Sequence, residues 1–203
     1  MKILVSDYDD TFFLNEEDIE KNKKAVQTFR EKGNLFVIAT GRSFKDIKEE
    51  IIKYNLKFDY LIINHGATIL NQKEEILFNF SMPNIVCQNL KEVLLNKHPE
   101  IKLLNDNSES EENIYFCCSK LESRLSFMHE ELTKIAVCYE KGNGVSYLND
   151  LINKKFPVHS YLVSENMIEI ISKNTNKAKA IEKIANIYDV NDKNIFVIGN
   201  GHS

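Results

Sequence analysis

Asp7, Asp9, Asp10 and Thr11 follow directly on an apolar run, Ile3-Leu4-Val5, near the start of the chain. Like charges packed this closely disfavour joint ionisation unless a cation is at hand. Carboxylate oxygens with few other protein donors suit a magnesium ion that keeps several of its waters. If extended geometry persists past Ser6, Asp7 and Asp9 point to one side and Asp10 to the other, because side chains alternate along a strand. Two carboxylates on one side can act as nucleophile and acid/base, or as two ligands. Taken alone, the same residues fit a solvated acidic turn equally well.

The elements around this cluster decide between the two readings. A continuous aliphatic run with no polar alternation suits the centre of a parallel sheet. In open α/β sheets ligands bind beyond the carboxyl ends of such strands, which is where the aspartates fall. A helix is expected from Glu16 to Lys32, with Asn15 as its N-cap and Gly33 as its stop. A second buried strand, Leu35 to Ala39, ends in Thr40-Gly41-Arg42-Ser43. The helix that follows, Phe44 to Tyr54, presents its first N–H groups beside Thr40, a place suited to an anion. Thr40 could equally cap that helix, and Thr11 could bond only its own turn. Tyr60 to Asn64 is a third strand, and Thr68 to Leu70 with Ile76 to Phe80 form a hairpin. This gives one half of a doubly wound fold.

The segment 82–165 changes character and reads as an inserted α/β unit, with a helix over Ile85–Asn96, strands at Ile101–Leu104 and Ile114–Ser119, and the solvated loop Asn105–Asn113. Core structure is expected to return over 166–203, with a strand at Met167–Ser172, a helix Asn176–Tyr188 capped by Thr175, and a last strand Ile195–Ile198. Lys177 in the first turn of that helix opposes the helix dipole, so it is either a tolerated surface charge or a phosphate ligand. The glycine-rich turn Gly199-Asn200-Gly201-His202-Ser203 closes the sequence where such a fold would normally continue, so the second core segment is expected to be truncated.

With 203 residues, 30 acidic against 26 basic side chains and a net charge of −4, the chain has no basic footprint for nucleic acid. No apolar segment is long enough for a signal peptide or a membrane span, so a cytoplasmic protein without a membrane partner is expected. Cys87, Cys117, Cys118 and Cys138 lack metal-type spacing and read as buried thiols.

Asp7-Tyr-Asp-Asp-Thr11 after a hydrophobic strand resembles the Asp-x-Asp-x-Thr first motif of the haloacid dehalogenase superfamily of phosphotransferases. Thr40-Gly41-Arg42 is similar to the second motif, Lys177 with its spacing to Ala180 to the third, and Gly199-Asn-Gly-His-Ser203 to the start of the fourth. The words Thr-Gly-Arg, Tyr60-Leu-Ile-Ile-Asn64 and Gly66-Ala67 resemble the Cof-type branch (subfamily IIB), whose cap is inserted between the second and third motifs.

The resemblance implies an α/β fold with a doubly wound, mainly parallel Rossmann-like core and an inserted α/β cap. It implies a hydrolase of phosphate monoesters: Asp7 attacks phosphorus and Asp9 acts as general acid and base. Thr40, Gly41 and Lys177 would grip the phosphoryl group. Mg2+ would be held by Asp7, the Asp9 main-chain carbonyl and Asn200, and the cap would exclude water and choose the leaving group. The expected substrates are small phosphorylated metabolites, sugar phosphates among them, and the expected state is a monomer or homodimer. Arg42 reads as a surface cation outside the catalytic set, His65 as structural and His202 as solvated. The family usually has aspartate where this chain has Asn200, and that departure sustains the alternative of a catalytically weak or inactive binding or regulatory protein. A phosphoacceptor receiver domain shares the acids, threonine and lysine but needs its acceptor on a later strand and no inserted unit.

Overall fold

The computed structural model describes residues 1–97, 103–104, 113–117, 132–138 and 145–200. Two compact units are present: Met1–Asn79 with Thr175–Ser203, and Phe80–Asn174.

In the first unit, β1 (Ile3–Asp7), β2 (Leu35–Ala39) and β3 (Tyr60–Ile63) run parallel, and β11 (Ile195–Ile198) flanks β1 in the same direction. The antiparallel β4 (Thr68–Asn71) and β5 (Ile76–Asn79) complete an order, among the described residues, of β11-β1-β2-β3-β4-β5. Unbroken runs such as Phe36-Val37-Ile38 are fully buried because helices cover a parallel sheet. Helix α1 (Glu16–Glu31) starts at Asn15, whose side chain accepts from the N–H groups of Glu17 and Asp18. Such a cap stabilises a helix by about 1 kcal/mol. Helix α2 (Phe44–Tyr54) is held by a capping box between Ser43 and Asp46, so Ser43 rather than Thr40 is its cap. Tyr8, Phe12, Ile19, Phe36 and Ile47 meet in the core of this unit.

The second unit contains α3 (Asn84–Lys97), β6 (Leu103–Leu104), β7 (Asn113–Cys117), β8 (Lys134–Cys138), α4 (Val145–Lys155), β9 (Val158–Ser164) and β10 (Met167–Ser172). Its strand order among the described residues is β6-β7-β8-β10-β9. Here the structure corrects the expectation that Met167–Ser172 returns to the core sheet. The strand is present, but it pairs antiparallel with β8 and β9. Ile168 and Ile170 are fully buried with Ile135, Val137, Leu148 and Ile152, so burying these two isoleucines is what draws β10 into this sheet. Cys87 lies in the same core, its Sγ 3.9 Å from the Met82 carbonyl. Most of the expected loop Asn105–Asn113 lies outside the described residues, and so do residues 201–203 with His202.

The chain returns to the first unit at Thr175. Helix α5 (Lys177–Ile187) is capped by Asn176, whose side chain accepts from the Lys179 N–H. Thr175 is not the cap: its hydroxyl donates to the Gly66 carbonyl at 2.8 Å. No helix among the described residues is long and apolar enough to cross a membrane.

Candidate active site

Strand β1 ends at Asp7 because the chain there turns back on itself. The N–H groups of Phe12 and Phe13 donate to the carbonyls of Asp7 and Tyr8 at 3.1 and 2.9 Å. Asp10 takes a left-handed φ of 53° to make the reversal, a conformation that Asp tolerates better than most residues. Extended geometry therefore does not persist past Asp7, and the alternation expected for Asp7, Asp9 and Asp10 fails. The cause is burial. Tyr8 is fully buried and Phe12 nearly so, and Tyr8 stacks on Phe13 with centroids 5.9 Å apart. Drawing these rings inward sends the two flanking aspartates to different partners.

Asp7 meets Lys177. One carboxylate oxygen accepts from Nζ at 3.0 Å, and the other accepts from the Tyr8 N–H at 2.8 Å. The lysine that resembles the third motif is thus the one paired with Asp7. Asp7 also aligns with Ala39 across the β1–β2 ladder, which sets Thr40 at the neighbouring strand end. Thr40 is fully buried, and its hydroxyl oxygen accepts from the Arg42 N–H at 3.1 Å. On the other flank Ser6 aligns with Ile198. A Cβ placed on Gly199 would stand 3.8 Å from the Asp7 Cβ, so the turn carrying Asn200, which is exposed, begins beside Asp7. Asp7, Thr40, Gly41, Lys177 and the Gly199-Asn200 turn thus gather at the carboxyl ends of adjacent strands within the first unit.

Asp9 meets Arg42 instead. The guanidinium Nε and Nη2 donate to the two Asp9 oxygens at 3.1 and 2.7 Å. Its Nη1 lies 3.6 Å from Glu50 Oε1, and its Cζ sits 5.3 Å from the Tyr8 ring centroid. The Tyr8 hydroxyl donates to Glu50 Oε2 at 2.8 Å. Burial, reinforced by the Glu50 carboxylate, pushes the Tyr8 phenol far above the ordinary tyrosine range. The hydrogen bonds to Asp9 raise the Arg42 guanidinium. Arg42 is therefore not an ordinary surface cation.

The 3-10 turn Asn64–Gly66 that follows β3 is a second feature the sequence did not disclose. The Asn64 N–H donates to the Arg42 carbonyl at 3.0 Å and the His65 N–H to the Thr40 carbonyl at 3.2 Å. The His65 ring covers Gly41, where a Cβ would stand 2.4 Å from Cε1. Gly66, with φ +103°, lies against the Asn176-Lys177 backbone, and a Cβ there would stand 2.3 Å from the Asn176 carbonyl carbon. One turn thus braces both the Thr40 loop and the start of α5. Its only sequence signal is the glycine, which is needed where backbones approach this closely. The side-chain oxygen and nitrogen of Asn64 and the Thr11 hydroxyl are buried without a hydrogen-bond partner among the described residues, so Thr11 does not bond its own turn.

Among the described residues no group of three His, Cys, Asp or Glu side chains is placed to hold a metal ion. The oxygens this part of the chain can offer are the Asp7 carboxylate, the Asp9 carbonyl and, in the turn that begins at Gly199, the amide of Asn200. All are hard donors, and a magnesium ion commonly takes one or two carboxylates and fills the remaining positions with water and substrate oxygens. The donor chemistry fits.

The arrangement has relatives. The chain is 26% identical over 217 residues to a protein of Buchnera aphidicola subsp. Baizongia pistaciae named as a candidate phosphatase, covering 98% of this chain and 79% of that one. Among solved structures, BT1666 from Bacteroides thetaiotaomicron, studied among haloalkanoate superfamily phosphatases, superposes with a TM-score of 0.79 at 17% identity over 99% of this chain and 78% of its own. The subclass IIB sugar phosphatase BT4131 gives a TM-score of 0.71 at 16% identity over 99% and 81%. At these identities the solved structures speak for the fold alone. The family model for haloacid dehalogenase-like hydrolases matches residues 4–203. With the family model matched over nearly the whole chain and a separate α/β unit at Phe80–Asn174, the chain belongs to the haloacid dehalogenase-like hydrolases.

Proposed function

We propose that the chain is a magnesium-dependent phosphomonoesterase of small phosphorylated metabolites, working through an aspartyl-phosphate. The observation that carries this reading is the Asp7–Lys177 pair at 3.0 Å, set beside the Thr40 loop and the Gly199-Asn200 turn. A carboxylate at the mouth of a parallel sheet, with an ammonium at one oxygen, is a nucleophile next to a counter-charge for the phosphoryl group it attacks.

In the first step an Asp7 oxygen bonds to phosphorus, the bond from phosphorus to the leaving oxygen breaks, and Asp9 gives that oxygen a proton. In the second, water attacks phosphorus, Asp9 takes a proton from it, and phosphate leaves with Asp7 restored. Lys177, the Thr40 hydroxyl and Gly41 hold the phosphoryl oxygens through both steps. Asp7, the Asp9 carbonyl and Asn200 would hold Mg2+, which supplies charge that offsets the repulsion between an anionic nucleophile and an anionic ester. The amide of Asn200 offers an oxygen without a negative charge, so this chain binds the ion more weakly than an aspartate at position 200 would allow.

The test is phosphate release from p-nitrophenyl phosphate with Mg2+. Activity in the wild-type chain and none in Asp7→Asn is the expected result. Equal rates in the two would remove Asp7 as nucleophile, and phosphate binding without turnover would identify a binding protein on the same scaffold. In Asn200→Asp, half-maximal activation should need less Mg2+.

A further inference from the structure

Asp9 is asked to donate a proton, yet both of its carboxylate oxygens are held by one guanidinium. A carboxylate in a side-on fork has both oxygens engaged as acceptors, so neither is turned toward a leaving oxygen. The fork is uneven in its anchorage. At one end Tyr8 is fully buried beneath the guanidinium and fixed by Glu50. At the other, the Asp9 side chain is 47% exposed. The Arg42 backbone is also fixed, donating to the Thr40 hydroxyl and accepting from Asn64. Arg42 is therefore the fixed partner and Asp9 the movable one. Water screens a pair this exposed, so the fork is weakly held. A guanidinium matches phosphate as well as it matches carboxylate.

We propose that Arg42 is a positioning residue that parks Asp9 in the unliganded enzyme, and that a bound phosphoryl group takes over the guanidinium and frees Asp9 to face the leaving oxygen. This rests on the phosphomonoesterase reading and extends it. The acid is held back until an anion arrives, so it reaches the reacting atoms only when substrate is present. Tyr8 and Glu50 keep the guanidinium aimed during the exchange, since neither bonds to Asp9.

The exchange is read by NMR on the whole chain, following the Nε–H signals of its three arginines during titration with inorganic phosphate and Mg2+; the Arg42 signal is assigned by its loss in Arg42→Lys. The expected result is that the Arg42 signal moves with phosphate occupancy, and that Asp9→Asn shifts it toward the phosphate-bound position before any phosphate is added. Phosphate that binds, by broadening of its 31P line, while the Arg42 signal stays still would overturn the exchange and leave the phosphomonoesterase reading standing. No phosphate binding at all would overturn both. Kinetics supply a second readout. Arg42→Lys keeps the charge but loses the fork, so KM for p-nitrophenyl phosphate should rise about tenfold while kcat falls less than about threefold. A fall in kcat alone would count against the exchange.

Discussion

Two ion pairs, one in each unit, have similar lengths and different surroundings. Lys177 and Asp7 meet at 3.0 Å with side chains 12% and 19% exposed, while Lys134 and Glu169 meet at 2.7 Å with side chains 2% and 8% exposed. The first joins a strand end to the first residue of a helix. The second joins neighbouring antiparallel strands inside a sheet, on the face opposite Ile135 and Ile170. A pair at strand ends leaves room for a ligand to compete for its charges. A pair sealed between strands is closed to solvent, and such charges are tolerated because they are paired. On the proposed function, the same chemistry serves reaction in one unit and strand pairing in the other.

Breaking the sealed pair should have the largest effect. Lys134→Ala removes the cation 2.7 Å from Glu169 and should cost about 3–5 kcal/mol in chemical denaturation, whereas Lys134→Met with Glu169→Leu should come close to wild type. A double variant as unstable as the single one would show that the pair does more than neutralise itself. The open pair should behave in the opposite way. Lys177→Ala should leave the denaturation midpoint nearly unchanged and lower kcat by about 10²–10³-fold, the usual cost of losing one charge-stabilising donor. A large loss of stability with catalysis intact would erase the distinction between the two pairs. The third substitution sharpens the comparison by moving the open pair without touching it. In Gly66→Ala the new methyl would meet the Asn176-Lys177 backbone, at a cost of about 1–3 kcal/mol. If the turn sets the reach of Lys177, kcat should fall more in this variant than in a Gly33→Ala control, where a Cβ meets nothing within 4 Å.

Much of the first unit was legible because its signals are local. Apolar runs stop where a polar word begins, Asn15 and Gly33 bracket α1, the first, second and fourth motif words stand at or just beyond strand ends, and Lys177 opens α5. The placement of β10 was not legible, since a run such as Met167-Ile-Glu-Ile-Ile171 reads as a strand in either sheet, and its partners are chosen by which core has space for Ile168 and Ile170.

The amino-acid sequence by itself determined which residues are available for chemistry and the order in which strands present them. A strand end brings Asp7, Thr40 and Gly199 into line as soon as the parallel ladder forms. Tertiary structure alone decided the pairings made by side chains far apart in the chain: Asp9 with Arg42, 33 residues on, and Thr175 with Gly66, 109 residues back. Such contacts depend on how each turn aims its side chains. Here the burial of Tyr8 and Phe12 set that aim, through packing that no repeat in the sequence records.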